Sequence, residues 1–192
     1  MSKLKIILLG ETSVGKSSII KRYSDNKFED IFISTIGVDL IEKEITINGH
    51  KIILNIMDTS GQERFKSLSK TYIRASDGII FVYDITNEES FKAINTWIKL
   101  ADDQEEGFQA ILVGNKIDLK DLREITKDEM NDFAEKNNLK CFETSAKENI
   151  NIELIFKTIA ELICTNSPDK LNKKSKNQKL KIEDSSKKKK CC

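Results

Sequence analysis

The chain has 192 residues, of which 33% are charged and 39% hydrophobic, and this length favours one domain with an appendage. Its apolar runs are too short for a membrane-spanning helix or a secretory signal, which predicts a cytosolic protein. Four cysteines without CxxC spacing and a single histidine, His50, argue against a zinc site, a disulfide framework and imidazole-based catalysis.

Two regions of opposite charge underlie the net charge of +1. Residues 167–190 contain ten lysines and three acidic residues, a charge of +7, whereas the remainder has 28 acidic and 22 basic residues. An acidic body and a basic segment without aromatic side chains argue against nucleic-acid binding. We expect residues 166–190 to be disordered, which divides the chain into a domain of residues 1–165 and a basic tail of residues 166–192.

Strand-like and helix-like segments alternate along the domain, as in α/β proteins. Apolar or alternating runs predict strands at residues 3–9, 39–47, 51–57, 78–83, 110–113 and 141–142. Asn48-Gly49 is a strong hairpin signal and predicts that the second and third strands are antiparallel. Helical spacing predicts helices at residues 16–23, 91–101, 126–137 and 152–163. Cys141 is expected to be a small buried apolar residue.

Residues 10–17 (GETSVGKS) match the phosphate-binding pattern GxxxxGK[ST] and lie between a predicted strand and a predicted helix. Glycines allow backbone amides to point at phosphate oxygens, and the helix N-terminus adds positive potential. Lys16 would place its charge at the β- and γ-phosphates, and the Ser17 hydroxyl would bind Mg²⁺. The alternative, an ordinary glycine-rich turn, is disfavoured by the flanking elements.

Residues 115–118 (NKID) follow a buried strand, where open α/β sheets bind ligands. The Asp118 carboxylate would accept hydrogen bonds from the N1–H and the exocyclic amine of guanine, whereas adenine has an acceptor at N1. Alone, this motif is equally compatible with a solvated turn. Downstream of a phosphate-binding loop, it indicates a guanine nucleotide.

These motifs, with Thr35 and the stretches DTSGQE (58–63) and SAK (145–147), resemble those of the Ras superfamily of small GTPases. The stretches STIGVDL, GQERF and YDIT and the terminal pair of cysteines are most similar to the Rab family, with no subfamily resolved. The resemblance covers residues 3–165 and the last two residues. It implies an α/β fold with a six-stranded, mostly parallel sheet, one antiparallel hairpin strand and helices on both faces.

The resemblance also implies the residues of a site for GTP or GDP and Mg²⁺. The nucleotide-binding residues are expected to be Ser13, Val14, Gly15, Lys16, Ser17, Ser18, Phe28, Thr35, Gly61, Asn115, Lys116, Asp118, Ser145, Ala146 and Lys147. The metal ligands are expected to be Ser17, Thr35 and Asp58, and the catalytic residues Gln62, Lys16 and Thr35. Singly, Phe28 could be a core aromatic, Thr35 a strand residue and Ser145 a helix cap.

Within this site, Phe28 would lie against guanine, Lys116 along the base, and residues 145–147 near its O6, with Asn115 bracing the loops. Gln62 would orient the attacking water, and the backbone N–H of Gly61 would contact the γ-phosphate. Neither Arg22 nor Arg64 is clearly placed to reach that phosphate. We therefore expect slow hydrolysis without a GAP, and release of the segments around Thr35 and Gly61 after it.

The function implied is a GTP/GDP switch that hydrolyses GTP and recruits effectors to membranes in vesicle trafficking. Expected partners are an exchange factor, a GAP, GDI, a prenylation escort protein and effectors specific for the GTP state. A P-loop kinase or ATPase is disfavoured by Asp118. A GTP-locked, non-hydrolysing membrane adaptor stays open because Ser60 and Thr12 depart from the family pattern, as does Leu40, which replaces the usual Phe.

The end of the chain, four lysines followed by Cys191 and Cys192, resembles a double geranylgeranylation site. One lipid binds a membrane marginally, whereas two anchor a protein durably, and nearby lysines add attraction to an anionic leaflet. The alternative is a solvated charge run with unmodified thiols. The resemblance implies a location on the cytosolic face of an intracellular membrane, with cycling through the cytosol.

Overall fold

The computed structural model describes residues 2–28, 38–59, 66–103 and 107–168. Within these ranges six strands and six α-helices follow one another. The strands are β1 (Ser2–Leu9), β2 (Val38–Ile47), β3 (His50–Thr59), β4 (Gly78–Asp84), β5 (Gln109–Asn115) and β6 (Lys140–Glu143). The helices are α1 (Lys16–Asp25), α2 (Lys66–Arg74), α3 (Glu88–Lys92), α4 (Ile94–Asp102), α5 (Lys127–Lys136) and α6 (Ile152–Asn166).

The six strands form one sheet in the order β2-β3-β1-β4-β5-β6. β1 pairs in parallel with both β3 and β4, and β5 pairs in parallel with β4 and β6. Only β2 and β3 pair in antiparallel orientation. The predicted fold, a mostly parallel six-stranded sheet with one antiparallel hairpin strand, is therefore confirmed.

The β2–β3 hairpin turns at the two residues that the sequence indicated. Ile47 and His50 form the last pair of the ladder, and between them Asn48 and Gly49 have φ angles of 50° and 78°. Asparagine and glycine tolerate this left-handed backbone better than other residues, and such a turn follows the twist of the flanking strands.

Two apolar clusters cover the two faces of the sheet. In β1 the side chains of Leu4, Ile6 and Leu8 join one cluster, and those of Ile7 and Leu9 join the other. This alternation is the period of a strand that is buried on both faces. Helices α1 and α6 contribute to the first cluster, and α2 to α5 to the second, as the predicted helices on both faces require.

Four local predictions differ from the structure. Helix α2 was not predicted, and the helix predicted at residues 91–101 is divided at Ala93 into α3 and α4. Helix α6 ends at Asn166, three residues beyond the predicted helix and one residue beyond the expected end of the domain. Cys141 is half-buried, with its Sγ 3.2 Å from Asn131 Oδ1, because β6 forms an edge of the sheet.

The carboxyl ends of the parallel strands lie at the same end of the sheet. There Asp84, the last residue of β4, is paired with Asn115, the last residue of β5, and the loop after β1 leads into α1. The connection after β1 runs to β2 on one side of β1, whereas the connection after its neighbour β4 runs to β5 on the other side, so the direction of the connections reverses between β1 and β4. Ligands of open α/β sheets bind at such a point.

Candidate functional site

The loop between β1 and α1 is folded around the side chain of Lys16. Its Nζ donates hydrogen bonds of 2.8 Å to the backbone carbonyls of Gly10 and Glu11. Lys16 is only 5% exposed, and burial lowers its pKa from 10.5 to about 8, although Asp58 and Glu11 raise it by their charge. The loop therefore holds a buried amine at the N-terminus of α1.

Asn115 connects this loop to the far side of the site. Its Nδ2 donates to the Val14 carbonyl at 2.9 Å, and its Oδ1 accepts from Thr144 Oγ1 at 3.1 Å. Gly15 leaves room for this contact, because a Cβ at its φ of 98° would lie 2.3 Å from Asn115 Nδ2. The bond between side chain and loop thus depends on a glycine at this position.

The carboxylate of Asp118 is oriented by Ser145, which is fully buried. Ser145 Oγ donates to Asp118 Oδ1 at 2.6 Å and accepts from the backbone N–H of Glu148 at 2.9 Å. Two segments, one after β5 and one after β6, therefore fix the direction of a single acceptor. A carboxylate held in this way can recognise a pattern of donors on a planar base.

Lys116 forms an ion pair that the sequence did not indicate. Its Nζ lies 2.6 Å from Oδ2 of Asp84, a buried residue at the end of β4. The other carboxylate oxygen, Oδ1, accepts from the backbone N–H and the hydroxyl of Thr86 at 2.9 and 2.8 Å. Asp84 lies within the YDIT stretch, directly after a predicted strand. It could not be paired with Lys116 from the sequence, because the register that places Asp84 opposite Asn115 is known only from the structure.

Arg22 faces the loop that contains Ala146 and Lys147. Its Nε donates to the Ala146 carbonyl at 2.8 Å, and its Nη2 donates to the Lys147 carbonyl at 3.0 Å. The guanidinium thus connects the C-terminal half of α1 to the segment after β6. Phe28, which follows α1, is half-buried and packs against the apolar cluster on this side of the sheet.

Metal ligands of the usual cluster type are absent from the described ranges, where no three His, Cys, Asp or Glu side chains come together. The candidate donors are the hydroxyl of Ser17 and the carboxylate of Asp58, which is 7% exposed at the end of β3. Mg²⁺ takes one or two protein oxygens and completes its shell with phosphate and water. This sparse set of oxygen donors fits Mg²⁺.

Several residues expected at the site lie outside the described residues, namely Thr35, Gly61, Gln62, Cys191 and Cys192, as do Ser60 and Arg64. The other expected residues lie on the loop after β1, on α1 or just after it, at the ends of β3 and β5, or on the segments after β5 and β6. Of the departures from the family pattern, Thr12 is exposed in the loop after β1, and Leu40 is 59% exposed on β2.

Comparison with known proteins gives a consistent result. Residues 5–165 match the model of the Ras family. The chain is 44% identical to Ras-related protein Rab-10 of Diplobatis ommata, over 86% of this chain and 84% of that protein. It is 39% identical to Ras-related protein Rab-3 of Caenorhabditis elegans, over 91% and 80% of the two chains. This chain belongs to the Rab branch of the Ras family.

As a Rab-like small GTPase, the protein hydrolyses GTP, and its family membership implies that it binds GTP and GDP, generally with Mg²⁺. A third relative, Ras-related protein Rab-13 of Bos taurus, is 39% identical over 85% of this chain. The predicted family and activity are confirmed, which disfavours the non-hydrolysing adaptor. None of the helices in the described ranges is long and apolar enough to span a bilayer.

Proposed function

We propose that the nucleotide site of a GTP/GDP switch in vesicle trafficking lies at the carboxyl ends of the parallel strands. The observation that carries this proposal is the double hydrogen bond of Asn115. It joins the loop that holds Lys16 to the segment that presents Asp118, so one pocket can recognise the phosphates and the base together.

The loop after β1 and the start of α1 would bind the phosphates. Backbone amides of Ser13, Val14 and Gly15 point toward the phosphate oxygens, with Lys16 and Ser18 at the helix N-terminus. Ser17, Asp58 and Thr35 would hold Mg²⁺, which neutralises charge on the β- and γ-phosphates when it is bound. Bound phosphate also replaces the backbone carbonyls that Lys16 contacts.

The base would lie between the segments after β5 and β6. Asp118 accepts the two guanine donors, and its hydrogen bond from Ser145 supports this orientation. The Lys116 stem lies along one face of the base and Phe28 along the other, while Ala146 and Lys147 are near O6. The ion pair with Asp84 supports a fixed position for the Lys116 stem.

Hydrolysis and switching depend on residues outside the described ranges. Gln62 orients the attacking water, and Thr35 and the Gly61 N–H contact the γ-phosphate, so that hydrolysis releases both segments. The Arg22 guanidinium is bonded to the carbonyls of Ala146 and Lys147, which supports the proposal that Arg22 does not act on the γ-phosphate. The positive charge that accelerates hydrolysis would then come from a GAP. The exposed Leu40 supports an effector surface on β2 that differs from the usual aromatic one.

The remainder of the proposal concerns the membrane. Residues 1–165 form the GTP-binding domain, and residues 166–192 form a basic tail that carries lipids on Cys191 and Cys192. An exchange factor, GDI and a prenylation escort protein act on this form, which cycles between the cytosol and the cytosolic face of an intracellular membrane.

The base-recognition role of Asp118 is tested by Asp118→Ala. Two hydrogen bonds to a charged acceptor are lost, so GDP affinity should fall at least about a hundredfold. Discrimination between GDP and inosine diphosphate, which lacks the exocyclic amine, should disappear. Competition binding in the presence of Mg²⁺ measures both quantities.

Asp121→Asn provides the matched control, because Asp121 is an exposed carboxylate three residues further along the same segment. This variant should bind GDP as the wild type does. Equal competition by ATP and GTP for the wild-type chain, or unchanged GDP affinity in Asp118→Ala, would contradict the proposed site.

A further inference from the structure

A hydrogen bond connects the phosphate-binding loop to helix α4. The indole N–H of Trp97 donates to Oε1 of Glu11 at 3.1 Å. Trp97 is the only tryptophan of the chain, is 3% exposed, and otherwise lies in the apolar cluster on that face of the sheet. The two residues are 86 positions apart in the sequence, so only the tertiary structure brings them into contact.

The negative charge of the Glu11 side chain is unfavourable in a loop that binds phosphate. The backbone carbonyl of Glu11 accepts a hydrogen bond from Lys16 Nζ at 2.8 Å, so the Glu11 side chain is attached close to the amine that would bind the phosphates. The carboxylate charge acts on Lys16 already, since it raises the pKa of that amine against the effect of burial. A carboxylate that turned toward Lys16 would compete with the nucleotide and would repel its phosphates.

We propose that Trp97 is a positioning residue for nucleotide binding, whose indole N–H holds the Glu11 carboxylate toward α4 and away from the phosphate subsite. This inference rests on the proposed role of Lys16 at the phosphates. Without the donor, the carboxylate regains its rotamers and can turn toward the buried Lys16, on which its charge already acts. Trp97 therefore acts through Glu11 and makes no contact of its own with the nucleotide.

A purely structural role for Trp97 has a different consequence. Loss of indole volume from the apolar cluster would loosen α4 whatever residue stands at position 11. Loss of the hydrogen bond acts only when position 11 carries a charge. The two roles are therefore separated by the dependence of the Trp97 effect on Glu11.

The experiment measures the dissociation rate of a fluorescent GDP analogue, with Mg²⁺, from the wild type, Trp97→Phe, Glu11→Gln and the double variant. We expect release from Trp97→Phe to be about tenfold faster than from the wild type, since a hydrogen bond to a charged group is lost. In the Glu11→Gln background the same change should alter the rate less than about twofold. Phe91→Leu, which reduces aromatic packing in the same cluster, is the matched control and should not accelerate release.

A second measurement leaves Trp97 in place. Because Trp97 is the only tryptophan, its emission reports on this contact, and Glu11→Ala should shift the emission maximum and alter the change that accompanies exchange of GDP for GTP. Emission identical to that of the wild type would overturn the inference. Equal acceleration by Trp97→Phe in both backgrounds, or none in either, would also overturn it. A wild-type chain that retained no GDP would instead overturn the proposed function, and the inference with it.

Discussion

At the scale of single residues, Lys16 has an unusual environment, because its ammonium group is buried. Burial removes water from its ammonium group, and the two backbone carbonyls that it contacts compensate only in part. Its pKa is consequently about 8 rather than 10.5, with Asp58 and Glu11 limiting the decrease. The amine is thus charged at neutral pH and neutral in alkaline solution when no nucleotide is bound.

This lowered pKa predicts a pH dependence of nucleotide affinity. Bound phosphate favours the charged lysine, so above pH 8 binding must take up the proton that the free chain has lost. The affinity for GDP should be nearly constant below that pH as far as Lys16 is concerned, and should fall by up to about tenfold per pH unit above it. Titration calorimetry in two buffers of different ionisation enthalpy measures the proton uptake. Affinity that did not change between about pH 7 and about pH 9 would show that Lys16 keeps its ordinary pKa.

At the scale of elements, the loop after β1 and the end of β5 behave as one unit. The Asn115 side chain spans them, and it passes so close to Gly15 that no Cβ fits between them. The segment after β6 joins the same unit through Thr144 and through the bond between Ser145 and Asp118. Disturbance of one loop is therefore transmitted to the others.

Gly15→Ala tests this connection. The added Cβ would lie 2.3 Å from Asn115 Nδ2, and the alanine would have to adopt a φ of 98°. We expect the free energy of unfolding to fall by about 3 kcal/mol, from backbone strain and from the broken buried hydrogen bond. Gly49→Ala is the control, because its φ is 78° but nothing lies within 4 Å of an added Cβ. That change should cost only about 1 kcal/mol. Urea unfolding gives both values, and similar costs for the two variants would disprove the steric connection.

At the scale of the whole molecule, charge is divided between an acidic body and a basic end. The ten lysines of residues 167–190 precede two terminal cysteines, whereas Cys141 is half-buried and Cys164 is buried in the domain. Lysines attract an anionic surface over a Debye length, but salt weakens this attraction. Durable attachment therefore requires the lipids proposed for Cys191 and Cys192.

Replacement of both terminal cysteines by serine should move the protein from the membrane fraction of cells to the soluble fraction. Either single replacement should leave weak, salt-sensitive attachment, since one lipid binds marginally. Cys141→Ser serves as the control and should keep the wild-type distribution. Fractionation at low and high salt measures these outcomes, and membrane retention of the double variant would refute lipid attachment at this site.

The sequence by itself determined the features that depend on local backbone requirements and on hydrophobic periodicity. Asn48 and Gly49 predicted the hairpin because few residues tolerate its left-handed turn, and the apolar patterns predicted where the six strands lie along the chain. The order of the strands in the sheet was known only from the structure. Helix α2 was not predicted because its nine residues, KSLSKTYIR, include only three apolar side chains and so give a weak helical pattern. The candidate site residues were predicted from motifs and the family resemblance, and the roles of Thr35, Gly61 and Gln62 stay predictions.

Only the tertiary structure decided which side chains support the site. Asp84 holds Lys116, Ser145 holds Asp118, and Trp97 contacts Glu11 across 86 residues. No local periodicity specifies such pairs, because each partner is brought into place by the register of parallel strands and by the packing of helices between them. Sequence motifs identify groups that could meet a ligand, whereas the orientation of those groups is set by neighbours that are distant along the chain.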